Sequence, residues 1–242
     1  MHIEVDSHSH TIASGHAYST LSENIAAAAA AGITLLASTE HGPAMPGAPH
    51  VWYFVNMRVI PRVIDGVTLL RGIEANILDE QGTLDIDDTL HGQLDLVLGA
   101  LHEPVIRPST ALAHTRAIVA AMTSGKIDVL AHGGNPAFPV DIEAIASTAA
   151  ACNVLIEINN SSFTTSRSGS AKNCAALAEA VARHGGRLTF GSDAHIACNV
   201  GKFEQCLQLV REVGFPEERI LAASRDAFLA FLAERGKAFS LS

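Results

Sequence analysis

Seven short apolar runs alternate with helical patterns along this chain, and this alternation restricts the fold more than any other feature. The runs are continuous, as expected for strands that are buried on both faces of a sheet. They lie at 3–7, 35–39, 68–74, 94–100, 129–132, 155–158 and 187–191. Helical patterns occur at 22–31, 110–124, 141–151, 171–184, 203–213 and 223–236. Strands that alternate with helices predict a parallel sheet.

The number of these units favours a closed architecture. About seven β/α units form a barrel more economically than an open doubly wound sheet. The 242 residues, 48% of them hydrophobic, can bury one large core, and no long linker, repeat or charge block marks a boundary. We therefore expect a single α/β domain over residues 1–242. We also expect Ser22 to cap the first helix, and a short hairpin at 76–86 with its turn at Gln81 and Gly82.

Seven histidines and two carboxylates lie at or near the ends of the apolar runs or in the first loop. They are His8, His10, His16, His41, Glu74, His102, His132, Asp193 and His195. The strands of a barrel bring their carboxyl ends to one face, so residues distant in sequence can converge there. Imidazole suits Zn, Mn or Fe better than Mg or Ca, and a carboxylate can bridge two ions. The pattern predicts a multinuclear metal site.

Charge, cysteine content and the N-terminal sequence restrict the cellular location and the binding partners that we expect. A formal net charge of −9 argues against stable nucleic-acid binding, which needs Lys and Arg to neutralise phosphates, and favours a small substrate. Four scattered cysteines do not make a disulfide framework. The chain starts a strand without a signal-like segment, and no apolar run is long enough to cross a bilayer. We expect a cytoplasmic protein with no membrane partner.

Short motifs around these residues carry a resemblance to a known family. They are HSH at 8–10, EHG at 40–42, RGIEAN at 71–76, LHEP at 101–104, AHGGNP at 131–136, EINNSS at 157–162 and GSDAH at 191–195. The set resembles the PHP (polymerase and histidinol phosphatase) family, and nearly end to end its YcdX-type bacterial phosphatase subgroup. HAYSTLSE at 16–23 and NMRVIPRVIDGV at 56–67 also follow that subgroup. The resemblance implies a distorted TIM-like (βα)7 barrel, a trinuclear metal site and a homotrimer.

The resemblance also implies which residues would hold each ion. The first metal would take His8, His10, Glu74 and Asp193; the second would share Glu74 and take His102 and His132; the third would take His16, His41 and His195. Zinc is expected, with manganese or iron as alternatives. Two neighbours depart from the family pattern, because Glu40 stands where Asp is common and Gly133 where Pro is common. We expect each to alter metal affinity, through the orientation of His41 or the loop after His132.

The expected reaction is hydrolysis of a small phosphomonoester by a metal-bridging hydroxide. Asp193 would be both a metal ligand and the catalytic base. Arg167 follows the sixth strand and could reach a substrate phosphate, with a solvated loop position as its alternative. Glu157 also ends a buried strand, but the sequence does not place it among the ligands.

Three other functions stay open at this point. The same metals would serve a phosphodiesterase or nuclease, although the net acidity and the lack of a basic stripe count against it. Barrels with histidine clusters also host metal-dependent hydrolases that act on C–N or ester bonds. Metal storage or a purely structural site is the least favoured, because structural zinc sites are closed, whereas nine ligands for three ions leave positions open.

Overall fold

The computed structural model describes residues 1–164 and 166–237. Its central sheet contains seven parallel strands in the spatial order β1-β2-β4-β5-β6-β7-β8. These strands are β1 (Val5–Asp6), β2 (Leu35–Ser38), β4 (Val67–Asn76), β5 (Leu96–Ala100), β6 (Val129–Leu130), β7 (Leu155–Asn159) and β8 (Leu188–Gly191). A short strand that the sequence did not predict, β3 (Val63–Ile64), pairs antiparallel with the start of β4. The predicted α/β barrel is confirmed.

Eight α-helices in the described part of the chain surround or flank this sheet. They are α1 (Leu21–Ala30), α2 (Val51–Asn56), α3 (Asp88–His91), α4 (Ala111–Thr123), α5 (Ile142–Ala151), α6 (Ser170–Arg183), α7 (Glu204–Glu212) and α8 (Arg225–Glu234). All six predicted helices are present, and the short α2 and α3 were not predicted. The prediction that Ser22 caps α1 was wrong. Thr20 is the N-cap, because Thr20 and Glu23 form a reciprocal capping box.

Contacts between the first and last strands close the barrel. The backbone nitrogen of Ser7 donates to the carbonyl oxygen of Phe190 at 3.2 Å, and that of Asp193 donates to the carbonyl oxygen of His8 at 2.8 Å. At the opposite end, the backbone nitrogen of Glu4 donates to Ala222 in the segment before α8. This closure places His8, near the start of the chain, beside Asp193.

Burial of the strands on both faces explains their continuous apolar runs. Every residue of β2, β5, β7 and β8 is buried, so both faces must be mainly apolar. The exceptions are informative, because Glu74 and Glu157 are almost completely buried near the carboxyl ends of β4 and β7. The predicted hairpin after β4 is confirmed by an antiparallel bridge between Ile77 and Leu84. In the described residues, no helix has both the length and the apolar character needed to cross a bilayer.

Candidate metal centre

All nine predicted site residues meet at the carboxyl end of the barrel. They follow the strands or lie near strand ends: His8 and His10 after β1, His16 after the turn of 3-10 helix Ile12–Ser14, His41 after β2, Glu74 in β4, His102 after β5, His132 after β6, and Asp193 and His195 after β8. Six of the nine are buried, and His16, His102 and His195 are on the more open side. The sequence prediction that these residues converge agrees with their positions.

Glu74 lies at the centre of the cluster, and its two carboxylate oxygens face different histidines. Its Oε1 atom is 2.7 Å from Nε2 of His132 and 3.1 Å from Nε2 of His102. Its Oε2 atom is 2.7 Å from Nδ1 of His41, and lies 3.4 Å and 3.5 Å from the Nε2 atoms of His8 and His10. A carboxylate in this position can share its oxygens between two ions.

The other contacts join histidines to each other and to Asp193. The Nε2 atoms of His8 and His10 are 3.0 Å apart, and Oδ1 of Asp193 is 3.2 Å from Nε2 of His10. On the open side, Nε2 of His16 lies 3.2 Å from that of His41 and 3.1 Å from that of His195. Among the residues that the structure describes, three sets have their ligand atoms within 4.8 Å of one another: His8, His10 and Asp193; His10, His41 and His195; and His41, Glu74 and His102.

Hydrogen bonds on the far side of five of the seven rings fix which imidazole nitrogen faces the cluster. Five Nδ1 atoms face an oxygen acceptor: His8 with Glu157 at 2.8 Å, His10 with Ser14 Oγ at 3.2 Å, His16 with the Ser14 carbonyl at 3.0 Å, His102 with Asn76 at 2.8 Å, and His195 with the Asp193 carbonyl at 3.0 Å. An Nδ1 proton donated outward leaves the Nε2 lone pair turned inward, as in metal-binding histidines.

The cluster fits divalent metal ions. Inward lone pairs on nitrogens about 3 Å apart repel each other unless a cation lies between them. In addition, Oε2 of Glu74 and Nδ1 of His41 are buried, and within residues 1–164 and 166–237 neither makes a hydrogen bond, although the two atoms lie 2.7 Å apart. A buried polar atom without a partner is costly. Coordination to a metal would satisfy Oε2 of Glu74.

The electrostatics favour charged carboxylates and a neutral His132, whereas for His8 burial is outweighed by Glu157 and Glu74, which raise its pKa well above the usual value. Burial would raise the pKa of Glu74, but the imidazoles of His102 and His8 outweigh it and hold the pKa well below its usual value. For Asp193, burial is likewise outweighed by His8 and Arg167. Burial lowers the pKa of His132 to about 4. Glu74 and Asp193 are therefore anionic and His132 is neutral near pH 7, the protonation states that metal binding requires.

Glu157 has a positioning role that the sequence did not define. Besides accepting from His8, it accepts the backbone N–H of His132 through Oε2 at 2.7 Å, so one buried carboxylate holds two candidate ligands. Gly191 provides the space for it, because a Cβ at that position would overlap Oε1 of Glu157 and lie 2.6 Å from Cβ of His8. The signal in the sequence was a lone acidic residue in the apolar strand β7.

Glu40 acts through Ser14 rather than on the His41 ring. Its Oε2 atom accepts from the Ser14 hydroxyl at 2.6 Å, and both its oxygens accept from the backbone nitrogen of Thr11. The Ser14 hydroxyl in turn accepts from Nδ1 of His10 and from the backbone nitrogen of His41 at 3.2 Å. Glu40 thus supports two ligands through one serine, and nothing in the sequence marked Ser14.

Gly133, the other departure from the family pattern, lies in close packing after His132. A Cβ at Gly133 would lie 3.1 Å from Leu130 and 3.3 Å from Leu177, so these side chains would have to move slightly to admit one.

Strained backbone conformations occur at three residues of this site. In the described part of the chain, five non-glycine residues have positive φ, and three of them are His132 (33°), Arg167 (51°) and Asp193 (52°). Such conformations cost free energy and persist where the surrounding structure holds them in place, commonly at functional sites.

Arg167 is an inward-facing part of the site. Its Nη2 atom donates to Oδ2 of Asp193 at 2.8 Å and its Nη1 atom to Oγ of Ser162 at 3.4 Å. Its side chain is 15% exposed, so the alternative of a solvated loop arginine is wrong. An open pocket of about 340 Å³ lies above the cluster, lined by His16, His41, Met45, His102, Ser161, Ser166, Arg167, Asp193, His195 and Asn199.

Comparison of the sequence with known proteins identifies the family. A "Probable phosphatase" of Shewanella loihica is 54% identical over 232 residues, which cover 96% of this chain and 94% of that protein. One of Aeromonas hydrophila, with the same name, is 51% identical over 238 residues, 98% of this chain and 97% of that protein. The chain belongs to this family of bacterial phosphatases. No family model matches the sequence.

Solved structures with low sequence identity support the fold of this phosphatase. The histidinol phosphate phosphatase of Lactococcus lactis, in complex with Zn, L-histidinol and phosphate, aligns with a TM-score of 0.58 and 16% identity, over 89% of this chain and 95% of that one. A Xaa-Pro dipeptidase with bound methionine aligns with a TM-score of 0.54 and 12% identity, over 99% of this chain and 77% of that one. The barrel fold is therefore shared with these enzymes, and the phosphatase relatives supply the family.

Proposed function

We propose that this phosphatase is a YcdX-type enzyme that hydrolyses small phosphomonoesters with three divalent ions. One observation carries the proposal: nine ligand-type side chains converge at the carboxyl end of the barrel, where the inward nitrogens of the histidines face one another, Glu74 and Asp193. Phosphatase relatives that match nearly the whole chain supply the reaction class.

The contacts support a division of the ligands among three ions. Glu74 would bridge the first two, since its Oε1 faces His102 and His132 while its Oε2 faces His8 and His10. Asp193 would complete the first site beside His8 and His10. The third ion would be held by His16, His41 and His195, whose Nε2 atoms meet on the open side.

Zinc is the ion we propose, with manganese and iron as alternatives. Seven imidazoles and two carboxylates form a donor set that suits these metals. The histidinol phosphate phosphatase of Lactococcus lactis, which has a related fold, is complexed with Zn. The ions, when bound, supply an acidified water as the nucleophile and neutralise the charge of the phosphoryl oxygens.

The residues of the chain would bind the substrate and move the proton. Asp193 is ionised and can accept a proton in addition to acting as a ligand, which makes it our candidate base. Arg167 lines the pocket beside Asp193 and presents a planar guanidinium that can donate to a phosphate oxygen. The Asp193 carboxylate fixes the position of that guanidinium through the bond to its Nη2 atom.

Three further features are proposed from the subgroup resemblance and the composition. We propose that residues 1–242 form a single PHP domain, that the protein is a homotrimer, and that it acts in the cytoplasm. A small phosphorylated substrate, with no stable binding of nucleic acid, agrees with the net charge of −9.

Metal analysis combined with a substrate panel tests the function. Elemental analysis of the purified protein should find three ions per chain, with zinc, manganese and iron measured separately; fewer than two would overturn the trinuclear site. Activity should be measured on phenyl phosphate, bis(p-nitrophenyl) phosphate and single-stranded DNA. We expect hydrolysis of the monoester, whereas activity only on the diester or DNA would favour a phosphodiesterase or nuclease.

A bridging role for Glu74 is tested by Glu74→Gln. The variant should lose both bridged ions, and its activity should fall by more than roughly 100-fold, because an amide cannot supply two anionic ligand oxygens. Glu179→Gln, at an exposed position of α6, is the matched control. Full metal content and full activity in Glu74→Gln would exclude the bridge.

A further inference from the structure

A second cavity adjoins the metal pocket and is lined only by polar residues. Its volume is about 280 Å³, and its lining consists of Asn160, Ser161, Thr164, Ser192, Asp193, Asn199, Lys202, Glu204 and Gln205. Ser161, Asp193 and Asn199 also line the metal pocket, so the two cavities share a wall. We call this cavity the side pocket. A group attached to a phosphate at the metal centre can extend into it past Asp193.

Three side chains of the side pocket have polar groups that the fold does not use. In residues 1–164 and 166–237, the side chains of Lys202, Glu204 and Gln205 make no hydrogen bond or ion pair within the chain. By contrast, Asn160 is 8% exposed and fixed, because its Oδ1 accepts from the backbone nitrogens of Gln205 and Cys206 at 3.1 Å and 3.4 Å. Asn160 therefore anchors the first turn of α7, next to these unused groups.

The chemistry of the lining selects among leaving groups. Lys202 only donates hydrogen bonds, Glu204 as a carboxylate only accepts them, and Gln205 does both. A hydroxyl also does both, so several hydroxyls can be satisfied by this mixture. An apolar leaving group would remove water from these polar groups without replacing their hydrogen bonds, which is unfavourable. A cationic leaving group would be repelled by Lys202. An anionic leaving group would be repelled by Glu204 and Asp193.

We propose that the side pocket binds the leaving alcohol and that this alcohol is small and polyhydroxylated, which makes the substrates sugar or polyol phosphates. This inference rests on the proposed phosphatase function and names its substrate class. The size agrees, because 280 Å³ corresponds to about nine water molecules at roughly 30 Å³ each, enough for a pentose or pentitol.

A matched pair of monoesters tests the substrate class. Ribitol 5-phosphate and pentyl phosphate have the same five-carbon chain, and only the first has free hydroxyls. We expect kcat/KM to be at least about 30-fold higher for ribitol 5-phosphate, the equivalent of two hydrogen bonds of about 1 kcal/mol each. Equal values, or a preference for O-phosphoserine over ribitol 5-phosphate, would overturn the inference and leave a phosphatase. Hydrolysis of phenyl phosphate but of none of these three would also overturn the inference, and hydrolysis of none of the four would overturn the proposed function itself.

Variants of the side pocket test its position. Lys202→Met and Gln205→Leu should each lower the ratio of kcat/KM for ribitol 5-phosphate to that for pentyl phosphate by about 5-fold to 10-fold, mainly through a higher KM for ribitol 5-phosphate. Metal content, measured in parallel, should stay at the wild-type value. Lys172→Met on α6 and Gln208→Leu on α7 are matched controls, because neither residue lines the pocket. An unchanged ratio in both pocket variants would exclude the side pocket as the binding site.

Discussion

Glu157 holds His8 through a buried hydrogen bond of 2.8 Å between Oε1 and Nδ1. The second oxygen of the same carboxylate accepts from the backbone nitrogen of His132 at 2.7 Å and from the Asn159 side chain at 3.2 Å. His8 and His132 are assigned to different ions in the proposed scheme. Glu157 therefore couples the positions of two candidate ligands, one for each of two proposed ions.

Replacement of Glu157 by Gln should weaken metal binding without unfolding the barrel. The amide has the same shape, but only its oxygen can accept, so the N–H of either His8 or His132 loses its partner. We expect the affinity for the first two ions to fall by about 10-fold to 100-fold. Competition with a chromogenic chelator measures this, with Glu179→Gln as the control. Wild-type affinity in Glu157→Gln would show that the carboxylate does not position the ligands.

The barrel and the ligand cluster could be predicted because both follow from strand position. Strands buried on both faces must be apolar along their whole length, which made β2, β5, β7 and β8 visible in the sequence. Parallel strands all end at one face, so Glu74 and the histidines that follow other strands had to meet there. This argument needs only the order of elements and no side-chain geometry.

The supporting hydrogen bonds could not be predicted because they depend on side-chain direction. Ser14 contacts His10 only because the chain turns through a 3-10 helix, Ile12–Ser14, that no apolar periodicity marks. Glu157 could be recognised as an unusual strand residue, but its partner His8 follows β1, at the closure of the barrel. Helix boundaries are similarly local, and Thr20 rather than Ser22 caps α1 because Glu23 completes its capping box.

Replacement of Ser14 by Ala should disturb two candidate ligands at once. The Ser14 hydroxyl accepts from Nδ1 of His10 and from the backbone nitrogen of His41, and it donates to Glu40. Without it, buried polar groups lose their partners, and the His10 ring is free to rotate. We expect metal affinity to fall by about 10-fold or more. Chelator competition measures it, and Ser147→Ala, in α5, is the matched control.

Glu40→Asp separates the effect of reach from that of charge. The shorter carboxylate retains the negative charge but cannot keep all the contacts of Glu40 to Thr11 and Ser14. We expect Glu40→Asp to weaken metal binding by less than Ser14→Ala, and the loss should be smaller in Glu40→Asp than in Glu40→Gln, which lacks the charge. Equal metal affinity in the wild type and Glu40→Gln would show that this carboxylate has no positioning role.

Arg235 stabilises the end of the barrel opposite the metal centre. Its guanidinium donates to the buried carboxylate of Asp128 at 3.1 Å and to the carbonyl oxygens of Cys152, Gly125 and Ile127 at 2.8 Å to 3.0 Å. Arg235→Met leaves Asp128 short of its main cation, so the free energy of unfolding should fall by about 2–4 kcal/mol. Urea denaturation measures this loss.

The matched control for Arg235 is an arginine in an exposed ion pair. Arg116 lies 3.5 Å from Glu80 with both side chains about half exposed. Arg116→Met should cost at most about 1 kcal/mol, because solvent screens surface pairs. Equal losses of unfolding free energy in the two variants would mean that the contacts of Arg235 with Asp128 and the three carbonyl groups stabilise the fold no more than a surface ion pair does.

The four cysteines should differ sharply in reactivity because they differ in burial. Burial raises the pKa of Cys174 to about 12 and that of Cys206 well above its usual value, whereas Cys198 is exposed. At pH 8 only about one Cys174 thiol in ten thousand is then ionised, and the thiolate is the reactive form.

Iodoacetamide should therefore modify Cys198 first in the folded protein, as measured by peptide mass spectrometry over time. Cys198→Ser should remove this fast phase, and denaturant should expose Cys174 and Cys206 to the reagent. Rapid modification of Cys174 in the folded protein would mean that the packing of α6 against the barrel opens far more often than its burial implies.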